Sequence, residues 1–179
     1  SMGLLGIFSF NGNKIVTSGG GGAILTKDAG LARQARHLAT TAKVPHAWEY
    51  YHDTLGYNFR MPNLNAALAC AQLEKIDVFL QDKRETFEAY RGFLGHHGFR
   101  MLEPLPGTRS NHWLNVMLLD GRQERDRFLA QAHAQGVQAR PAWTLMHRLP
   151  MYRDCLRDDQ EQAAWLSDRI LCLPASVRE

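Results

Sequence analysis

The feature that most constrains this chain is a long stretch of helical periodicity in its middle. From Pro62 onward, Leu73, Ile76, Leu80, Phe87, Tyr90 and Leu94 recur at spacings of three, four and seven, the pattern of one apolar stripe on an α-helix. Pro62 suits a first helical turn and Gly95 a stop. A single helix from Pro62 to Leu94 would span roughly 50 Å at about 1.5 Å per residue. That is long for a small domain and long enough to bridge two.

The sequence on the N-terminal side reads as the end of something larger. Ile7-Phe8-Ser9-Phe10 predicts a short buried strand, Asn11-Gly12-Asn13 a turn, and Ala23-Ile24-Leu25-Thr26 a second short strand after the run Gly19 to Gly22. A sheet of two such pieces is marginal in water, so a larger sheet upstream, or another chain, is expected to complete it. Asp28 is placed to cap a helix running towards Leu38. From Ala42 to Arg60 periodicity fades while aromatic residues crowd in, the mark of an ordered loop that packs on something.

The C-terminal side alternates. Phe99 to Leu102 and His112 to Leu119 predict strands, and Asp120 to Gln135 a helix with an Asp120/Gln123 capping pair and Gly136 at its end. Val137 to Arg140 predicts a third strand and Asp159 to Leu171 a closing helix. Strand, strand, helix, strand, helix is a compact α+β unit.

Composition excludes several classes of function. The net charge of the 179 residues is only +3, and acidic residues interrupt the basic ones, as in Arg122-Gln123-Glu124-Arg125-Asp126-Arg127. A solvated helix face is expected there, not a nucleic-acid stripe. No apolar run approaches bilayer length and no signal-peptide pattern opens the chain, so neither nucleic acid nor membrane is an expected partner. Cys70, Cys155 and Cys172 are widely spaced, which suggests reduced thiols in a cytoplasmic protein and no disulfide framework. No histidine pair has the spacing of a metal site. Ser1-Met2 reads as a vector remnant ahead of a start codon.

Lys14 is the first candidate for chemistry. It follows an apolar strand and a tight turn, five residues before the glycine run. A lysine fixed at a strand end can lose its proton and attack a carbonyl, the requirement for a Schiff base. On position alone a surface lysine on a hairpin turn is the commoner outcome. The glycines are not a nucleotide-phosphate loop, because the lysine precedes them and a strand, not a helix, follows. They let backbone pass close to a neighbouring element.

The string Phe8-Ser9-Phe10-Asn11-Gly12-Asn13-Lys14-Ile15-Val16-Thr17-Ser18-Gly19-Gly20-Gly21-Gly22 changes the balance. It resembles the cofactor-lysine segment of the DegT/DnrJ/EryC1/StrS sugar aminotransferases. A second block, Gly56-Tyr57-Asn58-Phe59-Arg60-Met61, then Asn65-Ala66-Ala67 and Ala71-Gln72-Leu73-Glu74-Lys75, is similar to another segment of that family, in the right order and at the right separation. The resemblance is strongest from Phe8 to Leu94 and thinner beyond Gly95. Gly20 stands where many members carry glutamate. Ala39-Thr40-Thr41-Ala42-Lys43-Val44-Pro45-His46 is most similar to a subgroup acting on nucleotide-linked 4-keto-6-deoxy sugars, of the legionaminic-acid type.

The resemblance implies an α+β fragment of a fold-type I aminotransferase that uses pyridoxal phosphate (PLP). Residues 1–61 would end the large PLP-binding α/β domain, 62–95 would form the connecting helix, and 96–179 the small C-terminal α+β domain. Lys14 would bond the cofactor and move a proton between two carbons of the reacting pair. Asn58 would reach across a homodimer interface to the cofactor phosphate. Arg60 would steer that phosphate or the sugar diphosphate, although pairing with Asp53 is an equal alternative. Trp143 and His147 would line the substrate site, as His46, Trp48 and His52 also could. The amino donor is expected to be glutamate and the product to serve cell-surface polysaccharide synthesis. The acid that protonates the cofactor ring, the group that covers the ring and the main phosphate donors are expected upstream of this chain, so the chain alone is expected to be inactive. A dehydratase of the same family is disfavoured, because those members replace the lysine with histidine. The alternative from another class is a non-catalytic dimerisation module in which Lys14 is a remnant.

Overall fold

The computed structural model describes residues 3–178, so the Ser1-Met2 reading lies outside the described residues. The chain divides into two compact units between Asp77 and Val78.

In the first unit, β1 (Gly6–Ser9) and β2 (Gly22–Leu25) form an antiparallel hairpin with Gly6 opposite Leu25 and Ser9 opposite Gly22. Gly22 is demanded by that register, since a Cβ there would lie 2.4 Å from the Phe8 carbonyl oxygen. Asp28 caps α1 (Ala29–Ala39) as expected, its Oδ1 accepting from the amides of Gly30 at 2.6 Å and Leu31 at 3.0 Å. The aromatic loop carries a second, two-residue-deep hairpin of β3 (Lys43–Val44) and β4 (Tyr51–His52). The unit closes with α2 (Asn63–Glu74).

The predicted single helix from Pro62 to Leu94 is two. At Lys75 the backbone leaves helical geometry (φ −104°, ψ 6°), and its amide turns back to the carbonyls of Gln72 and Leu73. A new helix, α3 (Ile76–His96), starts at the next residue. The predicted stop at Gly95 is also early; the helix ends one residue later, and Gly98 takes the left-handed turn at φ +81°.

The second unit is built on a four-stranded antiparallel sheet, order β5-β6-β8-β7, from β5 (Arg100–Met101), β6 (Asn115–Leu118), β7 (Arg140–Pro141) and β8 (Ile170–Leu173). α4 (Arg122–Ala134) and α5 (Glu161–Ser167) complete it. The closing helix predicted to Leu171 stops at Ser167, and its last apolar residues form the central strand β8. The third strand, predicted over Val137 to Arg140, is shorter and lies later, at Arg140–Pro141. The N-cap of α4 is Gly121, which has no side chain to cap with; in place of the expected Asp120/Gln123 pair, the Glu124 carboxylate of the first turn accepts from the Asp120 amide at 2.8 Å.

Alternate residues of β6 and β8 point inward. Met117 and Leu171 are fully buried and join Phe87, Leu94, Met101, Leu119, Ala139 and Leu173 in one core. The C-terminal segment is fastened to α3: the Lys83 ammonium donates to the Ala175 carbonyl, and the Arg178 guanidinium donates to Asp82 at 2.6 Å and Glu85 at 3.0 Å. Arg178 holds the Asp82 carboxyl below its usual range.

Candidate functional site

Lys14 lies half-buried in the connection between β1 and β2. That connection is a closed loop held by its own backbone. Phe10 N–H donates to Gly21 O at 3.0 Å, Ser18 N–H to Phe10 O at 3.0 Å, and Lys14 N–H to Asn11 O at 3.0 Å. These bonds bring its ends together, the construction of an Ω-loop. Ser18 is almost completely buried, and its hydroxyl donates to Gly20 O at 2.5 Å. The Asn65 amide from α2 reaches Ser18 O at 2.5 Å, tying the glycine turn to the helix. Gly19 and Gly21 sit at φ +79° and +83°, where only glycine is unstrained. A Cβ on Gly21 would meet Met61 Cε at 3.0 Å. The glycines therefore do permit close approach, to Met61 and to the preceding strand.

Asn58 is fixed by its backbone. The segment from Tyr57 to Phe59 docks on the end of α1 through Tyr57 N–H to Leu38 O (2.7 Å), Phe59 N–H to Ala39 O (2.9 Å) and Thr41 N–H to Tyr57 O (2.9 Å), with Thr40 and Asn58 bridged. The Tyr57 and Phe59 rings stack at 5.1 Å, and in extended chain that puts the exposed Asn58 amide on the opposite side. Thr41 and Ala42 both take positive φ, +67° and +50°. They do so where Gly56 leaves no room for a side chain, its would-be Cβ lying 2.4 Å from Ala42 N and Thr41 C.

Arg60 lines a cleft of about 910 Å³ in the first unit, together with Gly19 to Gly22, Asn65, Arg36 and the apolar face of the hairpin. Lys14 and Asn58 do not line it. Asp53, the acid that could have paired with Arg60, instead meets His37 Nε2 at 2.6 Å. The remaining loop candidates are engaged locally: His52 Nδ1 lies 2.7 Å from Thr41 O, and His46 Nδ1 accepts from Glu49 N–H at 3.0 Å while its ring meets Trp48 edge-on.

In the second unit, His147 sits in a 3₁₀ turn (Met146–Arg148) and lines a cleft of about 570 Å³ with Tyr152, Cys155 and Arg157. Trp143 is exposed and stacks on Trp113. Trp113 was hidden from sequence reasoning inside the predicted strand His112 to Leu119; the strand begins only at Asn115. Lys83 is the other lysine of chemical interest. Burial pushes its ammonium below the usual lysine range, with Asp82 partly opposing, but it is spent on the Ala175 carbonyl. Burial raises the Cys172 thiol, which keeps it a packing residue. Among the described residues no group of His, Cys, Asp and Glu gathers as metal ligands, and no helix is long and apolar enough to cross a membrane.

Lys14 thus stands on a loop between two short strands, followed by a glycine turn and, further on, a docked Gly-x-Asn-x-Arg segment. The aminotransferase TlmJ from Streptoalloteichus hindustanus superposes with a TM-score of 0.87 at 26% identity, over 95% of this chain and 46% of that one. The chain belongs to the DegT/DnrJ/EryC1/StrS aminotransferase family, which it matches over residues 1–178. It is 34% identical over 98% of its length to the pyridoxal phosphate-dependent aminotransferase EpsN of Bacillus subtilis, a putative assignment, and 35% identical over 81% to the GDP-perosamine synthase of Vibrio cholerae. It spans 46% and 40% of those two proteins.

Pyridoxal phosphate is the cofactor of this family. The residues present fit its anchoring: Lys14 supplies a primary amine for the aldehyde, and the exposed Asn58 amide and Arg60 guanidinium are donors suited to a phosphate.

Proposed function

We propose that the whole protein to which this chain belongs transfers an amino group to a keto sugar carried on a nucleotide, with Lys14 as the catalytic residue. The observation that supports this best is the Lys14 loop: a half-buried amine in a loop closed by its own backbone bonds and tied to α2 by Asn65. A lysine on an idle surface turn has no need of such bracing, whereas a covalent anchor gains from a fixed position.

When bound, pyridoxal phosphate supplies an electron sink for the carbon that loses its proton. The chain's own residues would do the rest. Lys14 Nζ anchors the cofactor and then holds the proton that is moved. Asn58, braced by the docked backbone on either side of it, donates to the phosphate of a neighbouring subunit's cofactor in a homodimer. Arg60 donates to the phosphate or to the sugar diphosphate. Trp143 and His147 bound the sugar-nucleotide side. Glutamate as donor, a 4-keto-6-deoxy sugar of the legionaminic-acid type as acceptor, a role in polysaccharide synthesis and a cytoplasmic location complete the reading. The name of the Vibrio cholerae relative supports a nucleotide-linked product. Residues 1–61, 62–95 and 96–179 would be the end of the cofactor domain, the connection and the small domain. The chain by itself would not transaminate, because its first unit leaves the apolar faces of its hairpin uncovered.

The test is Lys14→Ala in the whole protein. The substitution is expected to lower amino-sugar formation by at least about a thousandfold. Amino-sugar formation at the parental rate would sink the reading and leave the dimerisation module as the better account.

A further inference from the structure

We infer that Trp113 and Trp143 together form a stacking platform for a ring of the nucleotide-linked sugar, with Trp113 as the positioning residue; this rests on the proposed function above. The two indoles lie with centroids 6.3 Å apart and planes 23° apart, within the range of favourable offset stacking. Trp113 precedes β6 and Trp143 follows β7, two strands separated in the sheet by β8. The contact is therefore tertiary and not a by-product of sequence adjacency. Trp113 is half-buried, and its amide is held by Asn111 Oδ1 at 3.1 Å. Trp143 is 68% exposed.

A tryptophan so exposed would ordinarily sample several rotamers. Stacked on a fixed neighbour, it keeps one face packed and holds the other open at a set angle. Ordering the ring before a ligand arrives lowers the entropy cost of binding. A flat ring is the natural occupant of such a face. The segment that carries Trp143 is basic, which favours an anionic ligand: from Gly136 to Arg153 the chain holds Arg140, His147, Arg148 and Arg153, and the first acidic residue is Asp154. His147 and Arg157 line the neighbouring cleft together with Asp158, and the two tryptophans stand outside it. An aromatic face beside a cationic segment suits a ring joined to a diphosphate. That ring is either the nucleobase or the apolar face of the hexose.

The experiment is calorimetric titration of the whole protein with GDP-mannose and UDP-N-acetylglucosamine, and with GDP and UDP alone. Trp143→Ala and Trp113→Ala are each expected to weaken the binding of at least one sugar nucleotide about tenfold, while Trp113→Phe stays within about twofold of the parent. The near-ultraviolet circular dichroism of the indole pair should vanish in both alanine variants. Losses shared by the bare diphosphates assign the platform to the base; losses confined to the sugar nucleotides assign it to the hexose. Parental affinity in Trp113→Ala, equal losses in Trp113→Phe and Trp113→Ala, or no binding of any of the four ligands by the parent would overturn the inference. Binding is read without turnover, so an inactive Lys14→Ala protein that still binds leaves the two claims separable.

Discussion

The two units of this chain handle their apolar residues in opposite ways. In the second, β6 and β8 alternate cleanly between buried and half-buried positions and share one core with α3. In the first, β1 and β2 are apolar on both faces and covered on neither: Ile7, Phe8, Ile24 and Leu25 are all at least half exposed. Among its described residues the buried apolar ones are Val16, Ala42 and Ala69, from three separate segments. Strands apolar on both faces belong to sheets covered on both sides. The second unit carries the core that holds it; the first carries sequence written for burial against a larger surface. Lys14, the residue proposed to take the cofactor, lies in the unit whose apolar strands are uncovered.

The contrast can be broken most sharply at Phe87, which is 3% exposed. Phe87→Ala is expected to destabilise the second unit by about 3–5 kcal/mol, while Ile24→Ala on the open hairpin shifts stability by less than about 0.5 kcal/mol. Urea denaturation of the two variants measures both; comparable losses would erase the distinction. Next in size is Gly56→Ala, whose methyl would collide with the backbone of Thr41 and Ala42. A loss of about 1–3 kcal/mol is expected, with hydrogen exchange quickening around Thr41 and Asn58 and not in β6 or β8. Lys83→Met should cost the second unit about 1–3 kcal/mol by leaving the Ala175 carbonyl without its charged donor, and limited proteolysis should then release the C-terminal segment sooner.

The smallest effect is a pH dependence. Burial and the Arg84 guanidinium hold His112 below its ordinary 6.5, with Glu88 and Glu103 pulling the other way. Between its folded value and 6.5 the unfolded chain binds a proton that the folded chain does not, so the second unit loses stability as pH falls through that window. Urea midpoints followed down from neutral pH should decline, and His112→Phe, which can keep the stack on Phe87, should flatten the slope. An unchanged slope would remove His112 from the account.

Where one physical cause acts locally, the sequence was a good guide. Asp28 announced its cap and Gly136 its left-handed turn, at φ +76°. The turn after β1 and the glycine run before β2 lie where the residue types require. The break at Lys75 has no such signal: neither glycine nor proline marks it, and the apolar stripe runs across it. Ile170 and Leu171, the start of β8, read as the end of the closing helix because a short apolar run after a helical segment has no period to separate it. Lys14 and Asn58 were proposed from sequence pattern alone. Tertiary contacts such as Asn65 with Ser18, His37 with Asp53 and Trp113 with Trp143 join residues whose spacing says nothing about their meeting.

The central claim is that the amine between the first two strands is the one the cofactor takes, and that the first unit holds it correctly only when its open hairpin is covered. Pyridoxal phosphate added to the whole protein, followed by borohydride reduction and peptide mapping, tests this directly. The account predicts near-stoichiometric labelling at Lys14 in the whole protein and only slight labelling in the 179-residue chain. Labelling centred on Lys83 or another lysine, or equally complete labelling of the 179-residue chain at Lys14, would contradict it.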